Sequence, residues 1–298
     1  MEQTITKLTI FTPTYNRAYT LPKLYESLAG QTNKNFIWLI VDDGSIDETK
    51  SLVSEWKKKK LIEIEYIFQS NGGKMRAHNL GVRHCNTDLF MCVDSDDFLK
   101  ENAVEEILKI SDEVLSKKTL SAIVAYKGKN ESELIGNTFP KGIKLSSLND
   151  LYRKGFKGDT SLIFKTNILK QYLFPEIDGE KFITEDYVYS QIDEKYKMLL
   201  LPEIIIICSY LEDGYTKNAL RLIMKNPKGV LMYYNLKIRL AKSIKEKVEF
   251  IVRYSAIGKL VKNRGAFSKC NSKLLYILCY PIAMFYYLKK KKIIERVK

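Results

Sequence analysis

The sequence predicts an α/β protein, with a mostly parallel central sheet followed by a basic helical C-terminal extension. Three observations carry this. From residue 8 to about residue 126, short β-branched or aromatic runs alternate with stretches of helical period, in the order βαβαβαβαβ. That order argues for parallel strands joined by right-handed crossovers. Carboxylates and polar turns follow several of these runs, at the edge where open α/β sheets bind ligands. Charge is also segregated. Residues 217–298 hold 21 Lys+Arg against 3 Asp+Glu, whereas residues 1–216 hold 28 against 32, in a chain of net charge +14. The expected division is therefore 1–216, a ligand-binding domain, and 217–298, a basic helical region that meets something anionic.

Leu8–Thr12 reads as the first strand, ended by Pro13, which has no amide proton to give a ladder. The loop Thr12-Pro-Thr-Tyr-Asn16 then stands at the sheet edge. Thr20 and Pro22 open a helix whose apolar face is Leu21, Leu24, Tyr25 and Leu28. Asn35–Val41 is the second strand and ends in Asp42-Asp43-Gly44-Ser45; Ser45 or Asp47 can cap the helix that follows. The Lys57–Lys60 run complements that helix's C-terminal dipole. Leu61–Phe68 is the third strand. Asn71-Gly-Gly-Lys74 then opens a helix to about His84, where two glycines let backbone amides approach an anion.

Phe90–Val93 is a buried strand running into Asp94-Ser-Asp-Asp97. Three carboxylates in four residues repel one another unless a cation sits among them, and oxygen ligands suit Mg²⁺ or Mn²⁺. A helix over 102–115 and a strand over 121–126 follow. Residues 127–160 are rich in glycine and read as a partly irregular segment over the sheet. Ser161–Phe164 is a short strand. Thr184 caps a helix to about Tyr196 with Glu185 and Asp186 in its first turn. Leu199–Leu201 and Ile204–Cys208 read as two closing strands, and Tyr210–Lys217 as an acidic turn.

The C-terminal region reads as basic helices. Leu274–Leu288 is fifteen uncharged residues rich in Tyr, Leu and Ile, followed at once by Lys289–Lys292. It is shorter than the roughly 20 apolar residues of a span and is interrupted by Pro281, so an interfacial or hairpin-like segment on anionic lipid is expected. Of five scattered cysteines without a C-x-x-C pair, three sit in apolar surroundings and read as small core residues, and a reducing compartment is expected. Two histidines are too few for a His-rich zinc site. No basic-then-apolar leader opens the sequence, so no signal peptide is expected.

Five motifs in this order resemble the family 2 glycosyltransferases of bacteria, of GT-A fold and capsule or exopolysaccharide type: Thr12-Pro-Thr-Tyr-Asn16, Val41-Asp-Asp-Gly-Ser45, Asn71-Gly-Gly-Lys74, Asp94-Ser-Asp96 and Glu185-Asp186. The resemblance covers roughly residues 5–215 and implies a GT-A, Rossmann-like catalytic domain that binds a nucleotide sugar. It implies that Pro13, Thr14, Tyr15 and Asn16 line the nucleotide pocket and that Asp43 accepts from the base, with Asp42 nearby. Gly73 and Lys74 would lie by the ribose or diphosphate. Asp94, with Ser95, belongs to the D-x-D pair, and Asp96 with Asp94 holds Mn²⁺ or Mg²⁺. Asp186, beside Glu185, would be the catalytic base. The Q-x-x-R-W motif of processive synthases is absent.

The expected reaction is inverting, metal-dependent transfer from a nucleotide sugar, UDP-linked, to a saccharide or lipid-linked acceptor. Its expected place is peripheral, at the inner, cytoplasmic face of a bacterial membrane. A sugar-phosphate nucleotidyltransferase is the rival enzyme, but its Gly-rich first loop is not Pro13-Thr-Tyr-Asn16. A nucleic-acid-binding protein is the rival from another class, suggested by the pI of about 9.3. No zinc finger, RNP or helix-turn-helix signature supports it, and no nucleic-acid partner is expected.

Overall fold

A computed structural model describes residues 7–209 and 219–297. The chain divides into two compact units, 1–173 with 191–211 and 174–190 with 212–298. In the first, β1 (Leu8–Thr14), β2 (Phe36–Asp42), β3 (Glu63–Phe68) and β4 (Leu89–Cys92) alternate with α1 (Leu21–Ala29), α2 (Thr49–Lys59) and α3 (Lys74–His84). The strands lie in the order β3-β2-β1-β4, all parallel. Every residue of β1 is buried, as a central parallel strand covered on both faces requires.

Large aromatics fill the layers. Tyr25, Trp38 and Trp56 stack with centroids 4.5–6.2 Å apart. Phe11 and Phe90 stack at 5.2 Å with His78 edge-on to both. Helix α3 approaches β1 closely because position 81 is glycine: a Cβ there would lie 2.5 Å from two carbons of the Phe11 ring.

Pro13 does not end the first strand. β1 continues to Thr14, and Pro13 pairs with Val41 in the β2 register. Amide groups of a strand alternate sides. Thr14 O accepts from Asp43 N on the β2 side, and Phe11 O accepts from Val93 N on the β4 side. Pro13 thus has its missing N–H on the β4 side, past the last pair, Phe11 with Cys92.

The rest of the sheet is mixed. β5 (Phe98–Leu99), α4 (Ala103–Ser116), β6 (Leu120–Gly128), β7 (Leu145–Ser146), α5 (Leu148–Arg153), β8 (Thr160–Lys165), α6 (Thr166–Leu169), α7 (Asp186–Ile192) and β9 (Lys197–Ile207) follow in order. β8 inserts antiparallel between β4 and β6, a direction that the βαβ order over 8–126 left unassigned. The chain returns to β8 from the 127–160 segment without a full crossover helix, and a return of that kind favours antiparallel pairing. β9 runs parallel to β6, while β5 and β7 pair antiparallel with β9. The two expected closing strands are one: β9 passes through Pro202-Glu203 by a bulge, the register stepping from Ala125–Leu201 to Tyr126–Ile204. The helix expected to reach Tyr196 stops at Ile192. Within 127–160, α5 is fixed at its N-terminus by Ser147, which accepts from Asp150 N, and by Asp193, which accepts from Leu148 N and Asn149 N.

The second unit holds α8 (Ala219–Lys225), α9 (Pro227–Leu240), α10 (Ile244–Leu260), α11 (Ala266–Lys269) and α12 (Lys273–Val297). Its core includes Val230, Ile238, Ile251, Tyr254, Ile257 and Cys279. Helix α12 runs unbroken through Pro281, so the hairpin-like alternative is not what forms. Among the described residues no helix is long and apolar enough to cross a membrane. All five cysteines are free. The acidic turn Tyr210–Lys217 lies outside the described residues.

Candidate active site

In the first unit, four loops at the C-terminal ends of β1 to β4 are tied to one another by hydrogen bonds. Asn16, at φ +51°, donates its amide to Ser45 Oγ (2.9 Å) and accepts from Ile46 N through Oδ1 (2.9 Å). Asp47 accepts from Ala18 N (2.9 Å), and also from Thr49 N and Oγ1 at the start of α2. The β2 loop is joined to the β3 loop by Asp43. Its Oδ1 accepts from Gln69 Nε2 (2.6 Å) and Gly72 N (2.8 Å), and its Oδ2 from Gly73 N (2.7 Å). Gly73 makes this bond at φ +94°, a conformation that favours glycine. A carboxylate has about four acceptor sites, so one on Oδ2 stays open.

Asp42 is used differently. It is fully buried, and its two oxygens accept from Ser45 N (2.7 Å) and Tyr66 OH (2.6 Å). Burial and this carboxylate both push the Tyr66 hydroxyl up. Asp42 therefore shapes the turn in which Asp43 works. Thr14 Oγ1 is buried and, among the described residues, has no hydrogen-bond partner, while Tyr15 is half exposed.

The aspartates after β4 have three distinct surroundings. Asp94 Oδ1 pairs with Lys74 Nζ at 2.6 Å. Burial opposes its ionisation, but the ammonium groups of Lys74 and Lys127 outweigh it and hold the carboxyl below its usual range. Ser95 is buried. Asp97 is buried and pairs with Lys127 Nζ of β6 at 3.1 Å; it also accepts from Ser209 N (3.2 Å) and from the Cys208 thiol, which burial pushes up to about 12. Burial opposes the charge on Lys127, yet Asp97 and Asp94 raise its pKa. Asp96 has no ion-pair partner among the described residues. Burial, then Asp94 and Asp97, raise its pKa.

This donor set bears on the implied metal. Among the described residues no group of three or more His, Cys, Asp or Glu could hold an ion by itself. Mg²⁺, however, is often bound by one or two carboxylates together with substrate phosphates and water. Asp96, strained by like charge, with Asp94 beside it, fits that mode.

Glu185 and Asp186 belong to the second unit. The segment before them is anchored on α9. Glu180 accepts from Lys228 N and Gly229 N (both 2.8 Å) at the first turn of α9, and Asn226 Oδ1 accepts from Lys181 N (2.8 Å) and Phe182 N (3.1 Å). Asp186 then opens α7 and accepts from Ser190 Oγ (2.8 Å), Tyr233 OH (2.9 Å) and Lys237 Nζ (3.1 Å). Lys237 is largely buried, whereas the Asp186 side chain is a third exposed. Burial and Asp186 together push the Tyr233 hydroxyl strongly up. Tyr233, Lys237, Glu180, Asn226 and Lys127 were not read as site residues from the sequence. The one local signal is the four-residue spacing of Tyr233 and Lys237, which puts both on one helix face.

A mixed sheet whose parallel strands β1 to β4 end in loops carrying a backbone-anchored aspartate, a glycine turn with its lysine, and an aspartate triplet is an α/β architecture of GT-A type. The chain belongs to glycosyl transferase family 2, whose sequence profile matches residues 9–171. An uncharacterized glycosyltransferase of Rickettsia felis is 34% identical over 146 residues, 47% of this chain and 24% of that protein. The chain thus spans about a quarter of that relative's length. A GalNAc(5)-diNAcBac-PP-undecaprenol beta-1,3-glucosyltransferase of Campylobacter jejuni is 25% identical over 282 residues, 91% of this chain and 89% of that one. The fold matches the crystal structure of S. aureus TarS 1-349 in complex with UDP-GlcNAc, with TM-score 0.63, 18% identity, and coverage of 92% of this chain and 79% of that one.

Proposed function

We propose that this chain transfers a sugar from a nucleotide sugar, UDP-linked, to a saccharide or lipid-linked saccharide acceptor, with inversion and with a divalent metal, at the cytoplasmic face of a bacterial membrane. The observation that carries this is the contrast among the aspartates after β4: two are paired with lysines, and Asp96 has no ion pair among the described residues. The open acceptor site on Asp43 suits the N3–H of a uracil ring, and the TarS complex with UDP-GlcNAc agrees with that choice of donor. Thr14, whose buried hydroxyl has no hydrogen-bond partner among the described residues, ends β1 next to these loops. The Campylobacter relative's acceptor supports a lipid-linked saccharide here.

In this reading Pro13–Asn16 and Asp43 hold the nucleoside, Gly73 offers its backbone, and Lys74 offers charge to the diphosphate. Asp96 and Asp94 would hold Mn²⁺ or Mg²⁺, which would supply positive charge beside the nucleoside diphosphate leaving group. Asp186, with Glu185 beside it in sequence, takes the proton of the acceptor hydroxyl as its oxygen bonds to the anomeric carbon and the bond to the diphosphate breaks. One displacement at that carbon inverts its configuration.

The test is a panel of UDP-, GDP- and dTDP-sugars with Mn²⁺ or Mg²⁺, read by thermal shift and by turnover. One UDP-sugar is expected to stabilise the wild type only with metal. Asp96→Ala is expected to lose that shift, and Asp186→Ala to keep it without turning over. A panel in which no nucleotide sugar binds, with or without metal, overturns the reading.

A further inference from the structure

Helix α12 has two unlike faces. Cys279 and Ala283 are buried, and Leu275 and Tyr276 pack on the same core, against α10. At 100° per residue, Leu274, Ile277, Leu278, Ile282, Phe285 and Leu288 fall on the opposite side. All six are exposed, by 53–74%. Pro281 lies on that side too, so the backbone bond it forfeits is the one to the outward carbonyl of Ile277. No charged residue interrupts the sequence from Leu274 to Leu288, and Lys289-Lys-Lys-Lys292 follows directly.

We propose that this face of α12 is a docking surface for an anionic lipid bilayer, along which the helix lies in the interface plane. The length of the apolar stretch rules for lying rather than crossing, since α12 is not apolar enough over its length to span. Charge selects lipid over a second copy of this chain. Residues 217–298 carry 21 Lys+Arg against 3 Asp+Glu, so two copies facing each other would bring like charge together, whereas anionic headgroups attract it. The surface stands independently of the transferase reading.

The experiment is flotation of the full chain with vesicles of pure phosphatidylcholine and of phosphatidylcholine mixed with phosphatidylglycerol, alongside Leu278→Glu/Phe285→Glu and Lys289→Glu/Lys291→Glu. The first pair replaces exposed side chains, so the circular-dichroism melt should match wild type. Wild type is expected to float with the mixed vesicles. The first variant should bind at least about tenfold more weakly, the scale of one lost apolar anchor. The second should lose the preference for phosphatidylglycerol. Wild type that ignores both vesicles overturns the proposal, as does a first variant that floats like wild type. So does light scattering that finds a dimer which the first variant dissolves, because the face is then covered by a second copy. Thermal shift with a UDP-sugar, run on the same samples, reports separately on the transferase reading.

Discussion

Asp96 illustrates how a binding group is recognised by what it lacks. Its neighbours Asp94 and Asp97 each have an ammonium within 3.1 Å, and Asp96 has none among the described residues. Burial and the neighbouring carboxylates, only partly offset by Arg17, make its charge costly in the free protein. Asp96→Asn is therefore expected to stabilise the metal-free protein, by under about 1 kcal/mol because the group is partly solvated, and to abolish metal-dependent UDP-sugar binding. Thermal melts without ligand, and calorimetry with Mn²⁺ and nucleotide, measure the two halves; a destabilised Asn variant would contradict the first. Tyr233 is the corresponding test at Asp186. Tyr233→Phe removes one donor to the proposed base and is expected to lower kcat by about tenfold, the scale of a single charge-assisted hydrogen bond, with KM for the donor unchanged. A change in donor KM alone would show that Tyr233 acts elsewhere.

The elements that carry these groups were unequally legible. Asp43, Asp94 and Asp96 come directly after the buried strands β2 and β4, so local periodicity located both the strand and the edge where its loop emerges; Lys74 was found from the glycines before its helix. The partners of Asp186 were not legible, because Tyr233 lies 47 residues away on a helix whose own pattern explains it as packing. Nor was the direction of β8, which depends on a pairing with β4 that no local pattern encodes. Pro13 was misread because its effect depends on which neighbour its backbone faces. Glu180 sets the entry to α9. Glu180→Ala frees two amides of its first turn and is expected to cost about 1–2 kcal/mol, seen as a lower Tm. It should also reduce turnover while leaving UDP-sugar affinity intact, because the nucleotide loops belong to the other unit. On the opposite kind of contact, Gly81→Ala drives a methyl against Phe11 and is expected to destabilise by about 1–3 kcal/mol in a denaturant titration.

Across the whole molecule, the family match and the excess of positive charge are separated. The family match, residues 9–171, lies within the part that holds β1 to β4 and their loops, and the excess of positive charge lies in the part that holds α9 to α12. Sequence composition made that separation readable, whereas the allotment of residues 174–190 to the helical unit follows from contacts such as Glu180 with Gly229 and was not readable. The insertion of β8 beside β4 also has a consequence for how the protein is made. Strands β1 to β4 are complete by residue 92 and need only their own crossover helices to assemble. The outer edge of β4, however, has no partner until residue 165 has left the ribosome. Through that interval a nascent chain presents Leu89–Cys92 as a bare apolar strand, the kind of template on which other chains pair. Synthesis paused between these points should yield chains that hold trigger-type chaperones, and release should follow the emergence of β8.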